Sequence, residues 1–286
     1  MTDRTVVRTH DALRDDIGDL VTRRPLPGPQ LDGLDPFLFL NHHGPQRYPP
    51  GNRGLPFGPH PHRGFETVTF ILAGELAHRD SAGHESVIRA GGVQWMTAGS
   101  GLVHAEVSPD EFRRRGGDLE ILQLWVNLPA RLKMTAPRYV GLQRDAIPAM
   151  PTDDGKGALH LISGRWRDRV GPIASLTDVF MCTVDLARGG HLHVDGLASR
   201  NVLLYVVRGA IRIGDALATD WQLVEIAAHG DALRLVAEED SVLLLGHADR
   251  IGEPVVAHGP FVMNTREEIA QAVRDYQAGK FDALPR

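Results

Sequence analysis

Gly58-Pro59-His60-Pro61-His62-Arg63-Gly64-Phe65-Glu66-Thr67-Val68-Thr69-Phe70-Ile71-Leu72 carries the clearest strand pattern of this chain. Its second half, 65–72, is a run of β-branched, aromatic and aliphatic residues of strand length. Its first half is held extended by Pro59 and Pro61. Similar runs recur at 86–90, 93–96, 119–127, 201–207, 222–227, 233–236 and 241–245. Glycines stand at the breaks, at Gly74, Gly83, Gly91, Gly209, Gly214 and Gly230, where tight corners favour positive φ. Many short strands at regular spacing predict an all-β sandwich or barrel. One helix is predicted over 265–278. Thr265 and Glu268 can form a capping box, Ile269, Ala272, Val273 and Tyr276 follow at helical spacing, and Gly279 can end it.

The chain has 286 residues, 42% of them hydrophobic, so it can bury a large core without staples. Its single cysteine, Cys182, excludes an internal disulfide and a cysteine metal cage. A net charge of -5, from 31 basic and 36 acidic residues, excludes a basic nucleic-acid footprint. No apolar run is long enough to span a membrane, and the polar first residues do not resemble a signal peptide. The expected address is the cytoplasm. Fourteen histidines are the unusual count, and they direct attention to metal chemistry.

His60 and His62 are two apart on an extended segment, so both rings face one side. His104 and Glu106 repeat that spacing. If the two segments face each other inside a barrel, three imidazoles and one carboxylate converge, a donor set for a divalent first-row ion. Glu66 shares the parity of His62 and is open to three roles: ligand, acceptor orienting an imidazole, or catalytic carboxylate. His42 and His43 could line the mouth, but ordinary polar loop positions are the plainer expectation, and His78 and His84 read as solvated turn residues. The run Arg113-Arg114-Arg115 beside Asp110, Glu111 and Asp118 reads as a solvated mixed-charge loop.

The pattern also hints at duplication. His191-Leu192-His193 echoes His60-Pro61-His62, and the glycines that follow each motif lie about 130 to 140 residues apart. By that offset Val242 matches His104 and Leu244 matches Glu106. The second half therefore keeps half a site at most and is expected to be metal-free.

Several longer motifs resemble the pirin family: 59–68, 94–99 with His104-Ala105-Glu106, 122–128, and 258–265 with Glu267-Glu268-Ile269. The resemblance runs from about Leu13 to the end of the chain. It implies a bicupin, two double-stranded β-helix barrels with a short C-terminal helix. The implied units are 1–143 with the metal, a linker at 144–157, and 158–286 without metal and ending in the helix. It implies His60, His62, His104 and Glu106 as ligands of one divalent ion, iron(II) first, with nickel, copper, manganese or zinc as other ions of the same donors. Glu66 is then set outside the ligands, beside an imidazole.

The resemblance further implies quercetin 2,3-dioxygenase-type chemistry, opening a flavonol-like enol with dioxygen. Glu106 is the expected base, and Val68, Phe70, Met96, Leu124 and Trp125 are candidate pocket walls. The alternative from the same family is a non-enzymatic, iron-dependent regulator that binds a transcription factor or a metabolic enzyme.

Overall fold

The computed structural model describes residues 2–281. The chain divides into two compact units. The first comprises Arg14–Arg23, Phe39–Arg144 and the segment from Ile251 onward; the second comprises the segment up to Leu13, Arg24–Leu38 and Asp145–Arg250. Each is a β-barrel of the cupin type.

In the first unit, a four-stranded sheet runs in the order Phe57–His62, Leu102–Val107, Glu75–Asp80, Glu85–Arg89. It lies with a larger sheet whose middle runs Val93–Thr97, Phe65–Ala73, Gly117–Asn127, Phe37–Tyr48. The second unit repeats the plan. Its four-stranded sheet runs His191–Val194, Leu233–Ala237, Ala210–Ile213, Ala216–Thr219. Its larger sheet has Gln222–Ile226, Arg200–Arg208, Ser241–Asp249 and Phe180–Leu186 at its middle. The same order of strands in both units is the duplication hinted at by the paired histidine motifs. The six corner glycines all have positive φ.

The units are not contiguous in the chain, which corrects the expected boundaries of 1–143 and 158–286. Val6–Asp11 pairs antiparallel with Gln222–Ile226, so the N-terminal strand completes the second barrel. The C-terminal helix, Arg266–Gln277, belongs to the first unit. There Ile269 and Ala272 pack with Phe261, Met263 and Phe281, against Val103. A sequence cut at the linker cannot show such an exchange, because strand pairing ignores chain proximity. The linker itself holds a strand, since Ala149–Pro151 pairs with Gly157–Ser163. Residue 1 and residues 282–286 of the expected ranges lie outside the described residues.

The capping box is present: the Glu268 backbone N–H donates to Thr265 Oγ1 at 3.2 Å, and the Thr265 N–H donates to Glu268 Oε2 at 2.9 Å. The Arg113–Arg115 run is not a loop but the last turn of a short helix, Asp110–Arg115, where Arg113 pairs with Asp110 and Arg114 with Glu111. Among the described residues no helix is long and apolar enough to cross a membrane.

Candidate metal centre

Pairing between Leu102–Val107 and Phe57–His62 sets His104 opposite His60 and Leu102 opposite His62. Cross-strand partners share a face, so the three imidazoles meet inside the first barrel. One ring nitrogen from each of His60, His62 and His104 lies within 4.8 Å of the others. His60 donates its Nδ1–H to the Gly58 carbonyl at 2.7 Å, and His62 donates its own to the Pro260 carbonyl at 3.3 Å. Both bonds leave Nε2 as the unprotonated nitrogen, the one able to bind a metal. His104 is buried with no partner at either ring nitrogen.

Burial, reinforced by repulsion from His60, brings the His62 imidazolium down to about 3. Burial and the neighbouring imidazoles likewise hold His104 well below its ordinary value. Neutral imidazole is the form that binds a metal. Three convergent rings with a partnerless buried pair of nitrogens fit one divalent ion.

Glu106 lies on the same inward face, two residues beyond His104, but outside the close imidazole group. A register shift between His104 and Glu106 sets it opposite Phe57. Its carboxylate accepts from Thr69 Oγ1 at 3.0 Å and from the side-chain amides of Gln94 and Gln123. Burial pushes its carboxyl up, against the pull of His78, His60 and those hydrogen bonds.

The expected place of Glu66 is corrected. Thr69 and its cross-strand partner Gln123 both reach Glu106, so their face is the inner one. Glu66 is three residues from Thr69 and therefore faces the other way. It accepts from Thr97 Oγ1 at 2.6 Å instead. Gly64, whose φ of 89° interrupts the extended segment, breaks the parity between His62 and Glu66. Only glycine fits there, since a Cβ would collide with the Val262 carbonyl. The same parity splits the candidate pocket walls. Met96 and Trp125 share the inner face with Thr67, whereas Val68, Phe70 and Leu124 lie on the other.

Other histidines also depart from expectation. His78 is not solvated: it is fully buried, its ring 5.4 Å from that of His104, and it bonds Asp80 at 3.0 Å. Tyr139 stacks on it at 4.1 Å, and the Tyr139 hydroxyl donates to Gln94 Oε1, continuing the polar chain to Glu106. The alternation Leu76, His78, Asp80 was the signal that could have found it. His84 is half-buried against Asp80. Burial pushes the Asp80 carboxyl up, but bonds from His78 and the His84 N–H outweigh it and hold it low. His42 and His43 are buried strand residues rather than loop residues, meeting Glu120 Oε1 at 3.0 Å and Thr22 Oγ1 at 2.9 Å.

The C-terminal segment clasps the His60–Gly64 loop. Beyond Pro260, the Val262 N–H donates to the Arg63 carbonyl at 3.0 Å. Arg63 Nη1 donates to Asp275 Oδ2 at 2.8 Å, and its guanidinium lies over the Phe281 ring. The buried Lys133 ammonium donates to the Gly64 carbonyl, Asn127 Oδ1 and the Val262 carbonyl, at 2.7 to 3.1 Å. Sequence spacing alone carries no trace of these links.

In the second barrel His191 and His193 are paired with Val236 and Arg234, and the inward residues are Leu192, Val194, Leu233, Leu235 and Ala237. Among the described residues the His60–His62–His104 group is the one cluster of this kind.

Comparison with known proteins agrees with this architecture. The sequence model of the Pirin family matches residues 19–126, and that of the Pirin C-terminal cupin domain matches 181–282. A pirin-like protein of Caulobacter vibrioides is 41% identical, covering 90% of this chain and 91% of its own. The crystal structure of a quercetin 2,3-dioxygenase from Acinetobacter baumannii superposes with a TM-score of 0.92 at 33% identity, over 98% of this chain and 99% of that one. A bacterial pirin of Escherichia coli, solved in complex with nickel(II), shares the fold at a TM-score of 0.68 and 22% identity, over 85% and 99% of the two chains.

Proposed function

Because this chain belongs to the pirin family, we propose that it is a mononuclear metal-dependent oxygenase of the quercetin 2,3-dioxygenase type, acting on a flavonol-like enol and dioxygen. The observation that carries this reading is the meeting of three imidazoles, with both nitrogens of the buried His104 unpartnered. His60, His62 and His104 hold the ion, iron(II) first, and Glu106 supplies the carboxylate of the set. A divalent ion held there supplies Lewis acidity for an enolate and redox reach toward dioxygen.

The protein's own groups do the rest. Glu106, fixed by Thr69, Gln94 and Gln123, takes the enol proton. Phe65 and Trp125, 4.4 Å apart and both beside His62, form an aromatic wall for a planar ring. The buried Trp125 indole N–H has no acceptor and is available to a substrate oxygen. Met96 and Leu102 keep the surroundings apolar and exclude water. In the overall reaction both atoms of dioxygen enter the product and one ring carbon leaves as carbon monoxide.

The test is aerobic quercetin consumption by iron(II)-loaded protein, with metal-free protein and the His104→Ala variant as controls. Metal-dependent loss of the flavonol band with one carbon monoxide per turnover is expected. No turnover with iron confirmed bound would overturn the oxygenase reading and favour the regulatory one.

A further inference from the structure

The second barrel lacks donors inside, yet its histidines are not idle surface. His193, half-buried, lines a pocket of about 470 Å³ together with Trp166, Phe180, His247 and Arg165. Three features of this pocket point to a ligand. First, His193 Nε2 and the Trp166 indole N–H are both buried with no hydrogen-bond partner. Buried polar atoms are ordinarily paired, so two of them at one pocket mark a place where a partner belongs.

Second, Arg200 Nε donates to His247 Nδ1 at 2.7 Å, which leaves the proton on His247 Nε2. Burial and Arg200 bring this imidazole down to about 3, so it stays a neutral donor. Arg165 adds an exposed guanidinium with no ion pair among the described residues, whereas Arg167 is taken by Asp153. The polar lining is thus rich in donors, and an indole N–H can only donate. Asp195 is exposed at the rim, where water screens it. Third, the walls are flat. His247 stacks on Phe180 at 4.5 Å with an interplanar angle of 10°, and Trp166 stands 6.0 Å from Phe180.

Donors seek an acceptor-rich group, a guanidinium favours a carboxylate, and stacked rings favour a planar aromatic body. We propose that this pocket binds a small aromatic carboxylate. The volume is that of an ordinary small-molecule site. The inference does not depend on the metal centre, whose residues belong to the other unit.

Titration calorimetry of the full chain with benzoate, and with benzamide as the uncharged counterpart, tests it. Saturable binding of benzoate, one per chain, at about millimolar Kd or tighter is expected. Arg165→Ala should weaken it about tenfold, and Trp166→Phe, which keeps a ring but removes the donor, about fivefold. His104→Ala should leave it unchanged, because that residue lies in the first barrel. Arg165 is exposed, so its variant keeps the fold, and a parent-like thermal melt verifies this. Benzamide binding as well as benzoate, loss of binding in His104→Ala, or no saturation by about 20 mM would each overturn the proposal. So would parent-like affinity in both pocket variants.

Discussion

The two barrels share one strand plan and put opposite chemistry inside it. In the first, the inward positions of the paired strands are His60, His62, His104 and Glu106. In the second, the corresponding pairs are Leu192 with Leu235 and Val194 with Leu233, and Ala237 stands where Glu106 does. All five pack in one apolar cluster with Val202, Leu204, Val206, Leu243 and Leu245. The histidine motif survives in the second barrel displaced by one residue, and on a strand one residue is a change of face. A motif therefore has chemical meaning only together with the pleat that presents it. The first interior gives up apolar burial for a polar site; the second is a conventional core.

Metal content should separate the two barrels most strongly. His104→Ala should lower metal affinity at least about 100-fold, since loss of a ligand exceeds the effect of losing an outer partner. His191→Ala and His193→Ala should leave the content of the parent unchanged. Metal analysis after dialysis reads both, and loss of metal in His193→Ala would mean that the second barrel also binds.

Stability should respond in the opposite sense. Leu235 is 2% exposed, and Leu235→Ala leaves a cavity costing about 2–5 kcal/mol. In metal-free protein, His104→Ala should cost under about 1 kcal/mol, because it removes two unpaired buried nitrogens with the ring. Urea unfolding of the two metal-free variants measures the difference. Equal losses would show that the first interior is packed as a core like the second.

These differences explain which parts of the molecule could be read beforehand. Strands such as Phe65–Ala73 and Gly117–Asn127, and the capped helix, are written in local pattern, and local pattern needs no partner. The meeting of His60, His62 and His104 was legible because each motif keeps its own parity. Glu66 was misplaced because Gly64 resets the pleat. His191 and His193 lie outside the core, as expected of a metal-free half, because the second barrel starts its strand one residue out of phase. The offset that matched His104 with Val242 led to the wrong strand, since pairing assigns Leu235. His78, the Pro260 carbonyl and the N-terminal strand were hidden for another reason: each acquires its role through contacts with residues far away in the chain.

The clasp on the His60–Gly64 loop gives the next smaller effect and has no counterpart needed in a barrel without a metal. Asp275 is 11% exposed at its side chain and is held well below the usual carboxylate range by hydrogen bonds from Lys280 and Arg63, with Gln271 adding to them. A carboxyl lowered by folding stabilises above its unfolded value, about 4, and loses that contribution as pH falls further. Asp275→Asn should therefore cost about 1–3 kcal/mol at pH 7, below the range for a broken fully buried pair because part of the site is open to water. The cost should shrink below about pH 4. Urea midpoints at pH 7 and pH 3.5 measure it, and a penalty that persists undiminished in acid would remove the Arg63 pairing as its cause.

The smallest effect is also the most local. Thr265→Ala removes the side-chain acceptor for the Glu268 N–H and should cost about 1 kcal/mol. The helix it caps packs on the strand Phe261–Met263, directly after the Pro260 carbonyl that fixes the His62 tautomer. Fraying of the first turn should thus reach the metal centre in weakened form, as a loss of affinity of under about fivefold. Amide exchange of Glu268 and Ile269 reports the fraying, and competition with a chelator reports the affinity. Parent-like affinity beside clear fraying would show that the strand, not the helix, holds Pro260 in place, and would confine the difference between the barrels to their inward-facing side chains.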